Sequence, residues 1–117
     1  MATASPSEVA RVVLDLALGR PATLGQGRLV CVDGPAGSGK TTLADAVGSL
    51  AAAPVVHLDD LYDGWSGLPR LPSALEGLLV PLAAGFPGSY RRYAWDAGAY
   101  AETVVVPPAP LLVVEGV

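Results

Sequence analysis

The sequence predicts an α/β domain built on a parallel sheet, and three observations carry that prediction. Short apolar runs at residues 29–33, 55–60 and 111–117 each run into an acidic residue or a glycine, as buried parallel strands do. Stretches with helical spacing of apolar residues lie between them or ahead of them, and turn-forming Gly and Pro punctuate the joins. Alternation of strands and helices is the pattern that buries a parallel sheet under helical crossovers.

The first helix is marked at its start by Ser5-Pro6-Ser7-Glu8, with Ser at the cap, Pro at the first helical position and Glu three residues after the cap. Val9, Val12, Val13, Leu16 and Ala17 recur at helical spacing, and Gly19 supplies a stop. A Gly- and Pro-containing linker follows to residue 27, so residues 1–27 read as a leading helix and linker, and residues 28–117 as the main domain. LVCVD is the first strand. TTLADAVGSLAA is a helix that Pro54 closes, and VVHLDD is the second strand. Ser73 with Glu76 repeats the capping-box spacing ahead of Leu78, Leu79 and Leu82, which predicts a helix that ends near Gly85 with a kink at Pro81. Residues 86–110 show no clear period. LLVVEGV is the third strand.

At 117 residues and 51% hydrophobic content the chain has room for one domain with a buried core. No apolar stretch approaches the roughly 18 residues of a membrane span, and the start lacks a basic segment followed by an apolar run, which predicts a cytoplasmic protein without a membrane partner. A net charge of −4 argues against a nucleic-acid partner, which calls for clustered Lys and Arg. The single cysteine, Cys31, has no internal partner and is expected to be a buried, inert thiol. His57, the sole histidine, is expected to pack within the second strand.

Gly34, Pro35, Ala36, Gly37, Ser38, Gly39, Lys40 and Thr41 fit the pattern G-x-x-x-x-G-K-[ST], and they lie where it must lie, after a strand and before a helix. The glycines let backbone N–H groups turn inward around a phosphate, while the following helix, with Thr41 and Thr42 in its first turn, points its positive end at the same anion. Lys40 is the only lysine in the chain. Its ammonium is expected at the β- and γ-phosphates of ATP, and the Thr41 hydroxyl on Mg²⁺.

Ligands of an open parallel sheet sit beyond the carboxyl ends of its strands, where Asp33, Asp59, Asp60 and Glu115 are predicted to gather. Asp59 or Asp60 suits a proton acceptor for an attacking hydroxyl, and Glu115 suits a hard cation, held directly or through water. Asp33 has the weaker expectation of shaping the loop.

Together these motifs resemble the uridine kinase-like branch of the P-loop kinases, which includes phosphoribulokinase, pantothenate kinase and nicotinamide riboside kinase. VDGPAGSGKTTLA looks like the family's first strand and P-loop, HLDDLYDGW like its second strand with a DxFY-type motif, YRRYAWD like its substrate-facing segment, and LLVVEGV like its third strand ending in EG. The resemblance implies the P-loop NTPase fold, a three-layer αβα arrangement with only the first three core strands present. It implies phosphoryl transfer from ATP to a hydroxyl of a nucleoside or similar small metabolite, with Asp59 as the catalytic acid, Asp60 as its neighbouring alternative, and Glu115 at Mg²⁺. Tyr62, Tyr93, Trp95 and Asp96 would face the acceptor. Where uridine kinases commonly read Tyr-Asp-aromatic, this sequence has Tyr93-Ala94-Trp95-Asp96, so the usual carboxylate is missing at Ala94 and Asp96 stands two residues away.

Family members are longer and carry further strands and an arginine-bearing lid, which implies that this chain corresponds to the front half of such an enzyme. The resemblance also implies that the second and third strands lie on one side of the first. The outer edge of the first strand is then open to self-association, and the chain alone is expected to show no turnover. The alternative is a nucleotide-hydrolysing or nucleotide-binding module that acts on a partner. No guanine-reading N-K-x-D motif occurs, and HLDDLYDGW together with residues 90–96 favours transfer to a hydroxyl.

Overall fold

The computed structural model describes residues 5–35 and 37–116. Helix α1 covers Pro6–Leu18, and the Ser5 side chain caps it by accepting the Glu8 amide at 3.2 Å. Gly19 ends it in right-handed geometry, with φ −81°, so the stop does not draw on glycine's access to positive φ. Strand β1 (Arg28–Val32) leads through the glycine-rich loop into α2 (Lys40–Ala51), and β2 follows as Val55–His57. The second strand is shorter than its apolar pattern suggests: the chain coils into a 3₁₀ turn at Leu58–Leu61, which places Asp59 and Asp60 on that turn.

A second 3₁₀ helix, Trp65–Arg70, runs directly into α3 (Leu71–Ala83). The capping box expected at Ser73 is therefore not the helix start. Arg70 stands at the cap position and Pro72 in the first turn, because the preceding turn already carries the chain in helical geometry. The helix continues through Pro81 to Ala83, and Gly85, at φ +87°, reverses the chain beyond it.

Residues 86–110, unassigned from sequence, form an antiparallel hairpin of β3 (Gly88–Ala94) and β4 (Ala99–Val106). A register shift between Arg91 and Tyr93 interrupts the two-residue alternation that would have announced the strand. The hairpin packs against α3, closely enough that a Cβ on Gly88 would collide with the Leu78 carbonyl.

The last strand, β5 (Leu111–Glu115), inserts between β1 and β2, and all three run parallel in the order β1-β5-β2. Both of its faces are covered. Leu111 and Val113 join Ala10 and Leu14 of α1, Val30 of β1, and Ala44 and Val47 of α2 on one side. Leu112 and Val114 join Val56, Leu61, Tyr62, Leu78 and Leu82 on the other. Helix α1 thus shares one core with the sheet and α2. On the described residues β1 has no partner along its outer edge, and Cys31 within it is exposed and not buried as its apolar neighbours suggest.

Candidate functional site

The parallel register sets Glu115 level with Val32 and His57 at the carboxyl ends of the three strands. Beyond Val32 the chain turns away from the sheet, and Asp33 shapes that turn by accepting the Gly34 amide on Oδ1 at 2.8 Å. Gly37 and Gly39 adopt φ +79° and +87°, conformations that L side chains rarely hold, and Gly39 stands at the N-terminal cap of α2. Ala36 lies outside the described residues. Among the described residues no side chain bonds the first amides of α2, so its start offers N–H groups to an anion.

Lys40, the first residue of α2, folds back so that Nζ donates to the Gly34 carbonyl at 2.9 Å. Lys40 therefore places its ammonium over the loop. An open cleft of about 560 Å³ runs from Gly34, Pro35, Ser38, Gly39 and Thr42 toward Pro6 and Val9 of α1.

Thr41 and Glu115 meet although they are 74 positions apart: the threonine hydroxyl donates to Glu115 Oε1 at 3.2 Å. Glu115 is 4% exposed, and its other oxygen, Oε2, is buried without a hydrogen-bond partner among the described residues. A buried polar oxygen left without a partner costs about 1–3 kcal/mol, so a cation beside it would relieve a standing penalty. Carboxylate and hydroxyl oxygens are the donors that Mg²⁺ takes, and this hard ion keeps several waters, so one or two protein oxygens fit it. Among the described residues no group of three His, Cys, Asp or Glu forms a cage of its own. Gly116, at φ +91°, gives the Glu-Gly pair its physical reason, since the chain leaves β5 in left-handed geometry.

His57 is not simply packed in β2, as expected, but bonds Glu115 Oε1 through Nδ1 at 2.6 Å. Sequence reasoning missed it because nothing local marks which strand neighbours which.

On the 3₁₀ turn beyond His57, Asp59 and Asp60 part company. Asp59 is exposed, and its Oδ1 accepts the Tyr62 hydroxyl at 3.1 Å. Burial and that bond raise the Tyr62 phenol, so the tyrosine stays protonated and holds the carboxylate in place. Asp60 is partly buried, and loss of solvent raises its pKa despite the nearby His57 and Arg92. Arg92 itself is engaged by Glu102 at 2.7 and 3.1 Å.

Aromatic rings wall this end of the site. The Trp95 indole donates to the Asp59 carbonyl at 2.8 Å, and its ring meets Tyr62, Trp65 and Tyr93 edge to face at 5.5–5.8 Å. Tyr93 in turn meets Tyr100 at 5.3 Å. Trp65 is 81% exposed. The hairpin thus brings Tyr93 and Trp95 to Asp59 and Tyr62, and adds Trp65 and Tyr100, which sequence reasoning did not single out. Trp65 closes the HLDDLYDGW stretch and could have been noticed, whereas Tyr100 carries no local signal. Asp96 sits exposed in the hairpin turn, where its charge acts on Arg92, and among the described residues it makes no hydrogen bond to the Asp59 group.

Among the described residues no helix is long and apolar enough to cross a membrane. No family model matches the chain, and no curated protein matches it. Among solved structures it is similar to a possible uridine kinase from Bacillus stearothermophilus, at 20% identity and a TM-score of 0.70, over 92% of this chain and 68% of that one. The fold is accordingly a mixed α/β arrangement around a parallel three-stranded sheet, shared with that structure.

Proposed function

We propose that the chain carries the nucleotide-binding part of a small-molecule kinase that moves the γ-phosphate of ATP to a hydroxyl group. The observation that supports this best is the meeting of Thr41 and Glu115 beside the glycine-rich loop, with Glu115 Oε2 buried and unpaired. The similarity to a possible uridine kinase is in keeping with it. Gly34, Pro35, Gly37, Ser38 and Gly39 form the cradle, Thr41 and Thr42 open the helix that faces the phosphates, and Lys40 exchanges the Gly34 carbonyl for phosphate oxygens.

Thr41 and Glu115 are the residues that would hold Mg²⁺. Held there, it would supply positive charge against the phosphate oxygens.

Asp59 is the better candidate for the acid that orients the acceptor, because Tyr62 fixes one of its oxygens and leaves the other open. Asp60 faces the hairpin and its pKa is raised. The acceptor oxygen forms its bond to the γ-phosphorus as the bond to the β,γ-bridging oxygen breaks; ADP leaves with that electron pair, and the hydroxyl proton passes to the Asp59 carboxylate. Tyr93 and Trp95 are the candidates for the acceptor side, with Trp65 offering an exposed ring face beside Trp95; Tyr62 serves through its bond to Asp59, and Asp96 stands apart in the hairpin turn.

The test is ADP release from Mg·ATP by the protein at its natural length, over a panel of nucleosides and small alcohols. Acceptor-dependent release is expected, with Asp59→Asn slowing turnover about 10²–10⁴-fold while ADP affinity is kept. A large effect at Asp60 and none at Asp59 would move the role by one residue. Release that ignores every acceptor would instead identify a nucleotide-hydrolysing module.

A further inference from the structure

We infer that His57 is a positioning residue for the cation site: it pins one oxygen of Glu115 so that the other is presented to the metal. This rests on the Mg²⁺ reading above and adds a residue to it.

The geometry begins with the strand order. Because β5 lies between β1 and β2, Glu115 is the register partner of His57 across one ladder and of Val32 across the other. Nδ1 of the imidazole stands 2.6 Å from Glu115 Oε1, the same oxygen that takes the Thr41 hydroxyl at 3.2 Å. A glutamate that holds a cation is a carboxylate with no proton to give, so in that state the bond is one that Nδ1–H donates. On the far side of the ring Nε2 faces Asp45 of α2 at 3.6 Å, so the imidazole spans from one carboxylate to the other.

Two donors on one oxygen have a consequence that one donor lacks. A glutamate's terminal torsion is broad and roughly two-fold, so a carboxylate held at a single point can swing or exchange its oxygens. Thr41 alone would leave that freedom, because its hydroxyl also rotates. With His57 approaching from β2 and Thr41 from α2, Oε1 is fixed from two elements, and Oε2 is left with no partner among the described residues. Outer-sphere partners of metal-binding carboxylates act in this way, and losing one typically costs 10–100-fold in metal affinity.

The experiment titrates ADP into the protein by calorimetry, once with Mg²⁺ and once with EDTA, and reads the ratio of the two affinities. His57→Ala should shrink that ratio about 10-fold or more while leaving the EDTA affinity unchanged. His57→Asn puts an amide nitrogen close to the place of Nδ1 and should recover most of the loss, whereas His57→Leu should not. A purely structural role would lower both affinities together, and that outcome would overturn the inference. So would an undiminished Mg²⁺ effect in His57→Ala. If the unsubstituted protein shows ADP binding but no Mg²⁺ effect, the Thr41 and Glu115 assignment fails first, and the role of His57 with it.

Discussion

Lys40→Ala isolates the phosphate site more sharply than any other single change, because no second lysine can stand in for it. In the free protein Nζ makes one partly buried bond, 2.9 Å to the Gly34 carbonyl. Reaching the β- and γ-phosphates would replace that bond by two charge-assisted ones. Hydrogen bonds to charged groups are worth about 1.5–3 kcal/mol each, so the exchange gains about 3–6 and gives up about 1.5–3. The net of about 1.5–3 kcal/mol corresponds to a loss of roughly 10- to 150-fold in affinity on substitution. Alanine is a favourable helix residue, so α2 itself should form as before. Calorimetric titration of both proteins with a non-hydrolysable ATP analogue and Mg²⁺ measures the difference, and thermal melting without ligand checks the fold. Equal affinities would refute the assignment of residues 34–41 as a phosphate cradle.

Two further outcomes follow from burial and from the sheet edge. Loss of solvent raises the Asp60 pKa above its unfolded value, so the native state binds more protons between the two values. Its contribution to stability therefore falls as pH rises from the ordinary carboxylate range through the folded pKa, and is level above it. Asp60→Asn should remove that decline and raise the melting temperature at neutral pH; an equal or lower melting temperature there would show that Asp60 is compensated by its neighbours. The unpaired edge of β1 should make the chain self-associate with rising concentration, under reducing conditions that exclude a Cys31 disulfide. Cys31→Lys should weaken that association by placing a charge on the edge strand, and light scattering that finds a monodisperse monomer at every concentration would sink the idea.

Local patterns foretold several elements because each rests on neighbours in the chain. Ser5, Pro6 and Glu8 mark the start of α1 through a bond spanning three residues, and the strand-loop-helix order around residues 34–41 is written in consecutive side chains. The apolar run of β5 announces a strand covered on both faces, and its acid marks the end that faces a ligand. The hairpin was illegible for the same local reason, since its register shift breaks the alternation on which strand recognition depends.

What surrounds Glu115 was decided only by the tertiary structure. Nothing within a few residues of Glu115 says that β5 will slip between β1 and β2. That choice depends on how the crossover segments pack on the two faces and on loop closures over 58 and 74 positions. It alone brings Thr41 and His57 to one carboxylate oxygen and leaves the other unpaired. The same packing leaves Cys31 on an open edge and carries Trp95 to the backbone of Asp59, 36 positions away. Sequence thus determined which chemical groups the strand ends carry. The order of the strands determined which of them meet, because parallel pairing is a long-range contact that no local period encodes.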